Sequence, residues 1–132
     1  MIDIQKIDIQ KKIRILHVDD EVDTLVVVKK ILELEGYEVV SINHAKAALE
    51  HIRMNGFDLI ILDIMMPDMS GWELFSHIGA IKPNYKVAFL SILDIAPENL
   101  DVMLKAGIKA YIKKPFDNSN FVNQINKIIN TK

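Results

Sequence analysis

Two hydrophobic periods alternate along the chain. Short apolar runs of strand length read as strands buried on both faces, and stretches with apolar positions every three to four residues read as helices. Ile13 to Val18 is the first strand, followed by Glu38 to Ile42, Leu59 to Leu62, Val87 to Leu90 and Lys109 to Ile112. Between them, Asp23 to Glu35 is a helix whose apolar residues Leu25, Val26, Val28, Ile31, Leu32 and Leu34, with Val22 ahead of them, form one broad buried face. Gly36 closes it. Asn43 is positioned to cap a helix through Met54, with Ala47, Ala48 and Ile52 available for packing and Gly56 ending it. Ser70-Gly71-Trp72-Glu73 has the form of a capping box opening a helix to about Ile81. Pro97 suits the first residue of a helix reaching Ala106, with Gly107 after it. Asp117 caps a last helix carrying Phe121, Val122, Ile125, Ile128 and Ile129 at helical spacing.

Five strands alternating with five helices through short connections imply a parallel sheet covered on both faces, a three-layer α/β/α sandwich. One domain from residue 13 to 132 is expected, with residues 1–12 as an N-terminal extension. There Ile2-Asp3-Ile4-Gln5-Lys6 recurs as Ile7-Asp8-Ile9-Gln10-Lys11, a repeat that suits a short strand or an exposed arm. The 132 residues are 50% hydrophobic and 26% charged, a globular composition. A net charge of −2 gives no electrostatic footprint for nucleic acid or an anionic membrane. The absence of cysteine excludes disulfides and thiolate metal sites. No apolar run approaches the roughly 18 residues of a membrane span, and no signal peptide is evident, so a cytoplasmic protein is expected.

Chemistry concentrates at the carboxyl ends of the strands. The first gives Asp19 and Asp20, the third Asp63, the fourth Ser91 and the fifth Lys114. In a parallel sheet these ends share one edge, where ligands bind. Asp63 stands out, because a charge closing a buried strand is costly unless something pairs or uses it. Carboxylates brought together repel unless a cation joins them, and an all-oxygen set suits Mg²⁺. A hydroxyl and an ammonium nearby complete the fittings of a phosphoryl-transfer site, in which a carboxylate can itself be the nucleophile. Plainer roles are open to the same residues: helix capping for Asp19 and Asp20, a solvated charge for Lys114, a simple strand end for Ser91. His17, within the first strand, reads as a partly buried strand residue.

Over residues 13 to about 130 the chain resembles the receiver domains of two-component response regulators. The resemblance rests on Val18-Asp19-Asp20-Glu21, Leu62-Asp63-Ile64-Met65-Met66-Pro67, the Ser-tipped fourth strand and Tyr111-Ile112-Lys113-Lys114-Pro115-Phe116. It implies a flavodoxin-like sheet of order 2-1-3-4-5. It implies that Asp63 is the phosphoacceptor, with Mg²⁺ held by Asp19 or Asp20, Asp63 and the backbone carbonyl of Ile64. Ser91 would then hydrogen-bond the phosphoryl group, Lys114 would bridge it, Tyr111 would be the aromatic switch, and the Lys114-Pro115 bond would be cis. The donor would be a sensor histidine kinase or phosphotransfer protein. Output would pass through the face of the fourth helix, fifth strand and fifth helix, with a homodimer on activation as one form of it. No direct contact with nucleic acid or membrane is implied. Ile92 replaces the usual small residue after the fourth-strand hydroxyl and borders the entrance, where it would restrict access to Asp63.

Two other readings compete. A Mg²⁺-dependent phosphatase with an Asp nucleophile commonly carries a second Asp two residues on, where this chain has Met65. A pseudo-receiver would bind partners without being phosphorylated. The chain ends soon after its fifth helix, so a stand-alone receiver or a segment of a longer regulator or hybrid kinase is expected.

Overall fold

Every residue of β3 (Leu59–Leu62) is fully buried, as the unbroken apolar run requires of a strand covered by helices on both sides. The computed structural model describes residues 11–131, so the N-terminal repeat, apart from Lys11, lies outside the described residues. The other strands are β1 (Arg14–Val18), β2 (Glu38–Ile42), β4 (Val87–Ser91) and β5 (Ala110–Lys113). They alternate with α1 (Val22–Leu34), α2 (Ala45–Met54), α3 (Gly71–Ile81), α4 (Pro97–Lys105) and α5 (Asn118–Asn130). All neighbours pair in parallel in the order β2-β1-β3-β4-β5, the expected sandwich and strand order.

The pleat divides the core in two. Ile15, Leu59, Ile61, Leu90 and Ile112 face α1 and α5, where Val28, Leu32, Phe121 and Ile125 meet them. Leu16, Val18, Ile60, Leu62 and Phe89 face the other way, against Ala48, Ile52, Leu74 and Ile78 of α2 and α3. No residue of α4 is buried, although Met103 leans on the second cluster.

Several local expectations shift. The buried stripe of α1 is narrow, consisting of Leu25, Val28 and Leu32, because a helix lying on a sheet touches it along one line. Val22, Val26 and Leu34 are 61%, 47% and 86% exposed. The cap of α2 is His44, whose Nδ1 accepts the Ala47 amide at 3.3 Å, and Asn43 stands one residue too early for that role. Gly56 is not a left-handed stop, since Asn55 already leaves the helix in extended backbone. Gly36 and Gly107 do take the left-handed conformation after α1 and α4, with φ of 94° and 109°. β5 begins one residue later than the apolar run suggests and includes Lys113, which pairs with Ser91.

Candidate functional site

The strand order reverses between β1 and β3, and the two carboxylates that follow these strands meet there. Asp19 is wholly buried and Asp63 is 6% exposed, whereas Asp20 is exposed. One oxygen from each of the three lies within 4.8 Å of the others. Lys114 faces them from the end of β5, with its Nζ 2.8 Å from Asp19 Oδ2, 3.2 Å from Glu21 Oε1 and 3.6 Å from Asp63 Oδ2. Its amide donates to the Ser91 carbonyl at 2.8 Å, fixing the start of the β5–α5 loop against β4. The Lys114-Pro115 peptide is cis.

The two buried acids are driven apart. Burial and the neighbouring Asp19 charge push the Asp63 carboxyl up to about 6, against the pull of Lys114. Burial also opposes the Asp19 charge, but His17, Lys114 and the Glu21 amide outweigh it, so Asp19 lies below the usual carboxylate range. Lys114 is shifted up, because its acidic partners overcome its own burial. At neutral pH the site therefore holds two buried carboxylates, an exposed third and one cation, all within a few ångströms. The oxygen donors and the excess negative charge fit a hard divalent ion.

The β3–α3 loop is held against the site. A Cβ on Gly71 would stand 2.2 Å from the Asp63 carbonyl oxygen and 2.9 Å from Ile64 Cα, so only glycine allows α3 to begin there. The Gly71 amide donates to the Ile64 carbonyl at 2.8 Å. That bond turns the Ile64 carbonyl, expected as a metal ligand, towards the start of α3 and occupies one of its two lone pairs. The Asp63 Oδ1 accepts the Met65 amide at 3.3 Å, and no hydrogen bond among the described residues ends on the Met65 carbonyl. From the same loop Asp68 accepts the amides of Ala45 and Lys46 at 3.3 and 3.1 Å, tying it to the first turn of α2.

Ser91 is fully buried at the end of β4, and its Oγ accepts the Leu93 amide at 3.3 Å. The half-buried Tyr111 donates its hydroxyl to the carbonyl of the same residue, Leu93. Burial raises the Tyr111 hydroxyl above its usual range, against the effect of Ser91 beside it. Lys113 also pairs with Asp94 in this loop. Ile92 is 67% exposed and lines a groove with Val27, Lys114 and Phe116.

Residues 15–126 match the family model of the response regulator receiver domain. The chain belongs to this family. A receiver of this kind is the chemotaxis protein CheY of Thermotoga maritima, 33% identical over 87% of this chain and 96% of its own length. The sensor kinase/phosphatase CqsS of Vibrio cholerae is 32% identical over 85% of this chain, but the chain spans only 17% of it. Among solved structures, a CheY-like receiver domain protein from Methanospirillum hungatei superposes with a TM-score of 0.82 at 35% identity, over 90% of this chain and 94% of that one. No helix among the described residues of this receiver is long and apolar enough to cross a membrane.

Sequence reasoning missed His17 and Leu93. His17 Nε2 lies 3.7 Å from Asp19 Oδ2, and burial holds the imidazole below its usual range against the pull of Asp19. The signal was available, since His17 precedes Asp19 by two positions and a strand repeats its faces every two residues. Leu93 contributes only backbone, which no side-chain pattern announces.

Proposed function

We propose that this receiver is a phosphoacceptor: it takes a phosphoryl group from a phosphohistidine onto Asp63, with Mg²⁺, and changes conformation to signal to a partner. The observation that carries this reading is the buried Asp63 carboxylate at the strand switch, 3.6 Å from a lysine and clustered with two more acids. An Asp63 oxygen attacks phosphorus, the bond from phosphorus to the donor imidazole nitrogen breaks, and its electron pair leaves with that nitrogen. Asp19, Asp20 and Asp63 would hold the cation, with the Met65 carbonyl the better candidate for a backbone ligand than that of Ile64. When bound, Mg²⁺ supplies positive charge to the acids and the phosphoryl oxygens. Lys114 holds the phosphoryl oxygens from the other side. The Ser91 hydroxyl accepts from Leu93 and keeps its own proton to donate to the phosphoryl group. Tyr111 reports the movement of Ser91 through the loop they share. Met65 offers no acid where a phosphatase would carry one.

A sensor histidine kinase or phosphotransfer protein is the proposed donor, and the cytoplasm is the proposed location of this receiver. Val27 and Ile92, 46% and 67% exposed, flank the groove that opens beside Lys114, an apolar rim suited to a helix presenting its histidine. Exposed Val102 and Leu104 on α4 support an output surface on the α4-β5-α5 face. Val27→Glu should slow transfer from a phosphohistidine protein by roughly tenfold, the size of a central interface contact, while labelling by a small acyl phosphate stays unchanged. Equal slowing of both donors would remove the groove from the partner interface.

The acceptor itself is tested by intact mass after incubation with Mg²⁺ and a small acyl phosphate. One added phosphoryl group is expected, absent in Asp63→Asn and without Mg²⁺. If the wild type stays unlabelled, Ile92→Ala decides: labelling then assigns Ile92 as the gate, and continued silence sinks the phosphoacceptor reading.

A further inference from the structure

Three buried side-chain atoms among the described residues have no hydrogen-bond partner, and all three lie behind the acidic site: His17 Nδ1, His17 Nε2 and Ser41 Oγ. His17 and Ser41 stand opposite one another on β1 and β2, so their side chains share a sheet face. Ile15 and Ile61, beside them on that face, are fully buried and apolar. An imidazole left unsatisfied there carries a desolvation cost that an aliphatic side chain would not. Two residues further along the same face of β1 comes Asp19. Its Oδ1 is tied to the Glu21 amide at 2.9 Å. Its Oδ2 sits between Lys114 Nζ at 2.8 Å and His17 Nε2 at 3.7 Å.

We propose that His17 is a positioning residue of the phosphoryl site, whose Nε2–H holds Asp19 Oδ2 from behind and becomes its donor when Lys114 turns to the phosphoryl group on Asp63. The proposal rests on the phosphoacceptor reading. Lys114 is shared among Asp19, Glu21 and Asp63, and a phosphoryl group on Asp63 draws it forward. Asp19 has no exposed surface and would lose its strongest partner at that moment. Closing the His17 contact to hydrogen-bond length needs a shift of about 0.8 Å. A bond from the Ser41 hydroxyl to Nδ1, made directly after a small shift or through one buried water, would keep the proton on Nε2. A carboxylate held in this way keeps its orientation towards the cation through the whole cycle.

The test compares His17→Leu and His17→Gln with the wild type. Mg²⁺ affinity is measured by calorimetry without any phosphodonor, alongside thermal unfolding. His17→Leu should weaken Mg²⁺ about tenfold without lowering the unfolding temperature, since it also removes unsatisfied buried atoms. His17→Gln, which restores an N–H at the Nε2 position, should recover most of the affinity. Unchanged affinity in His17→Leu, or no recovery in a folded His17→Gln, overturns the proposal. If the leucine variant does not fold, long-range ¹H–¹⁵N spectra of the wild-type imidazole decide: a proton on Nε2 is required, and one on Nδ1 alone overturns it. Failure of the phosphoacceptor reading is separate, because it would show as an unlabelled wild type whatever the His17 variants do.

Discussion

Asp63→Asn is expected to unfold at a higher temperature than the wild type at pH 7.5, by roughly 5–10 °C, and to keep only about half of that advantage at pH 5. The Asp63 carboxyl titrates near 3.8 when unfolded and at about 6 in the folded protein. Between those values the folded state keeps a proton that the unfolded state has released. Stability therefore falls as pH rises through this window, and above it the charged Asp63 costs about 2–3 kcal/mol. Asn keeps the shape and removes the charge. Mg²⁺ should narrow the gap at pH 7.5 by raising the wild type alone. Thermal melts at pH 7.5, 6 and 5 settle the matter, and equal melting temperatures at all three would mean that Asp63 is not strained in this way.

Gly71→Ala is expected to have an effect of similar size and opposite sign. The new Cβ would meet the Asp63 backbone, just past β3, at 2.2 Å, and neither side can yield as a flexible side chain could. Either α3 withdraws from the sheet or the loop after Asp63 moves, at a cost of about 3 kcal/mol. The second route also displaces the acceptor, so phosphorylation should fall together with melting temperature. A variant as stable and as readily labelled as the wild type would show that the close approach is not required.

The strand ends were legible because each apolar run stops at a polar residue, and parallel topology then brings Asp19, Asp63, Ser91 and Lys114 to one edge without further information. The caps at Ser70 and Asp117 were legible for the same local reason: short side chains accept amides three residues on. What the pattern did not contain was direction. Periodicity counted Val22, Val26 and Leu34 as core because it registers apolarity, not which side of a helix touches the sheet. The direction of the Ile64 carbonyl was not legible either, because it follows from where Gly71 docks, a contact between backbone atoms. His17 was passed over because a lone histidine in a strand looks like filler until the acid beside it is known to be buried.

Leu93 is gripped at its amide by Ser91 and at its carbonyl by Tyr111, in the two peptide planes that meet at its Cα. One residue thus touches both Ser91 and the aromatic side chain, and a movement of either is felt by the other through it. Thermodynamic reciprocity then fixes a consequence for any partner that prefers one setting of Tyr111. Whatever factor phosphorylation adds to that partner's affinity, the partner must return to the equilibrium between phosphorylated and unphosphorylated receiver. An output protein bound on this face would act as a load on the phosphorylation equilibrium as well as a reader of it.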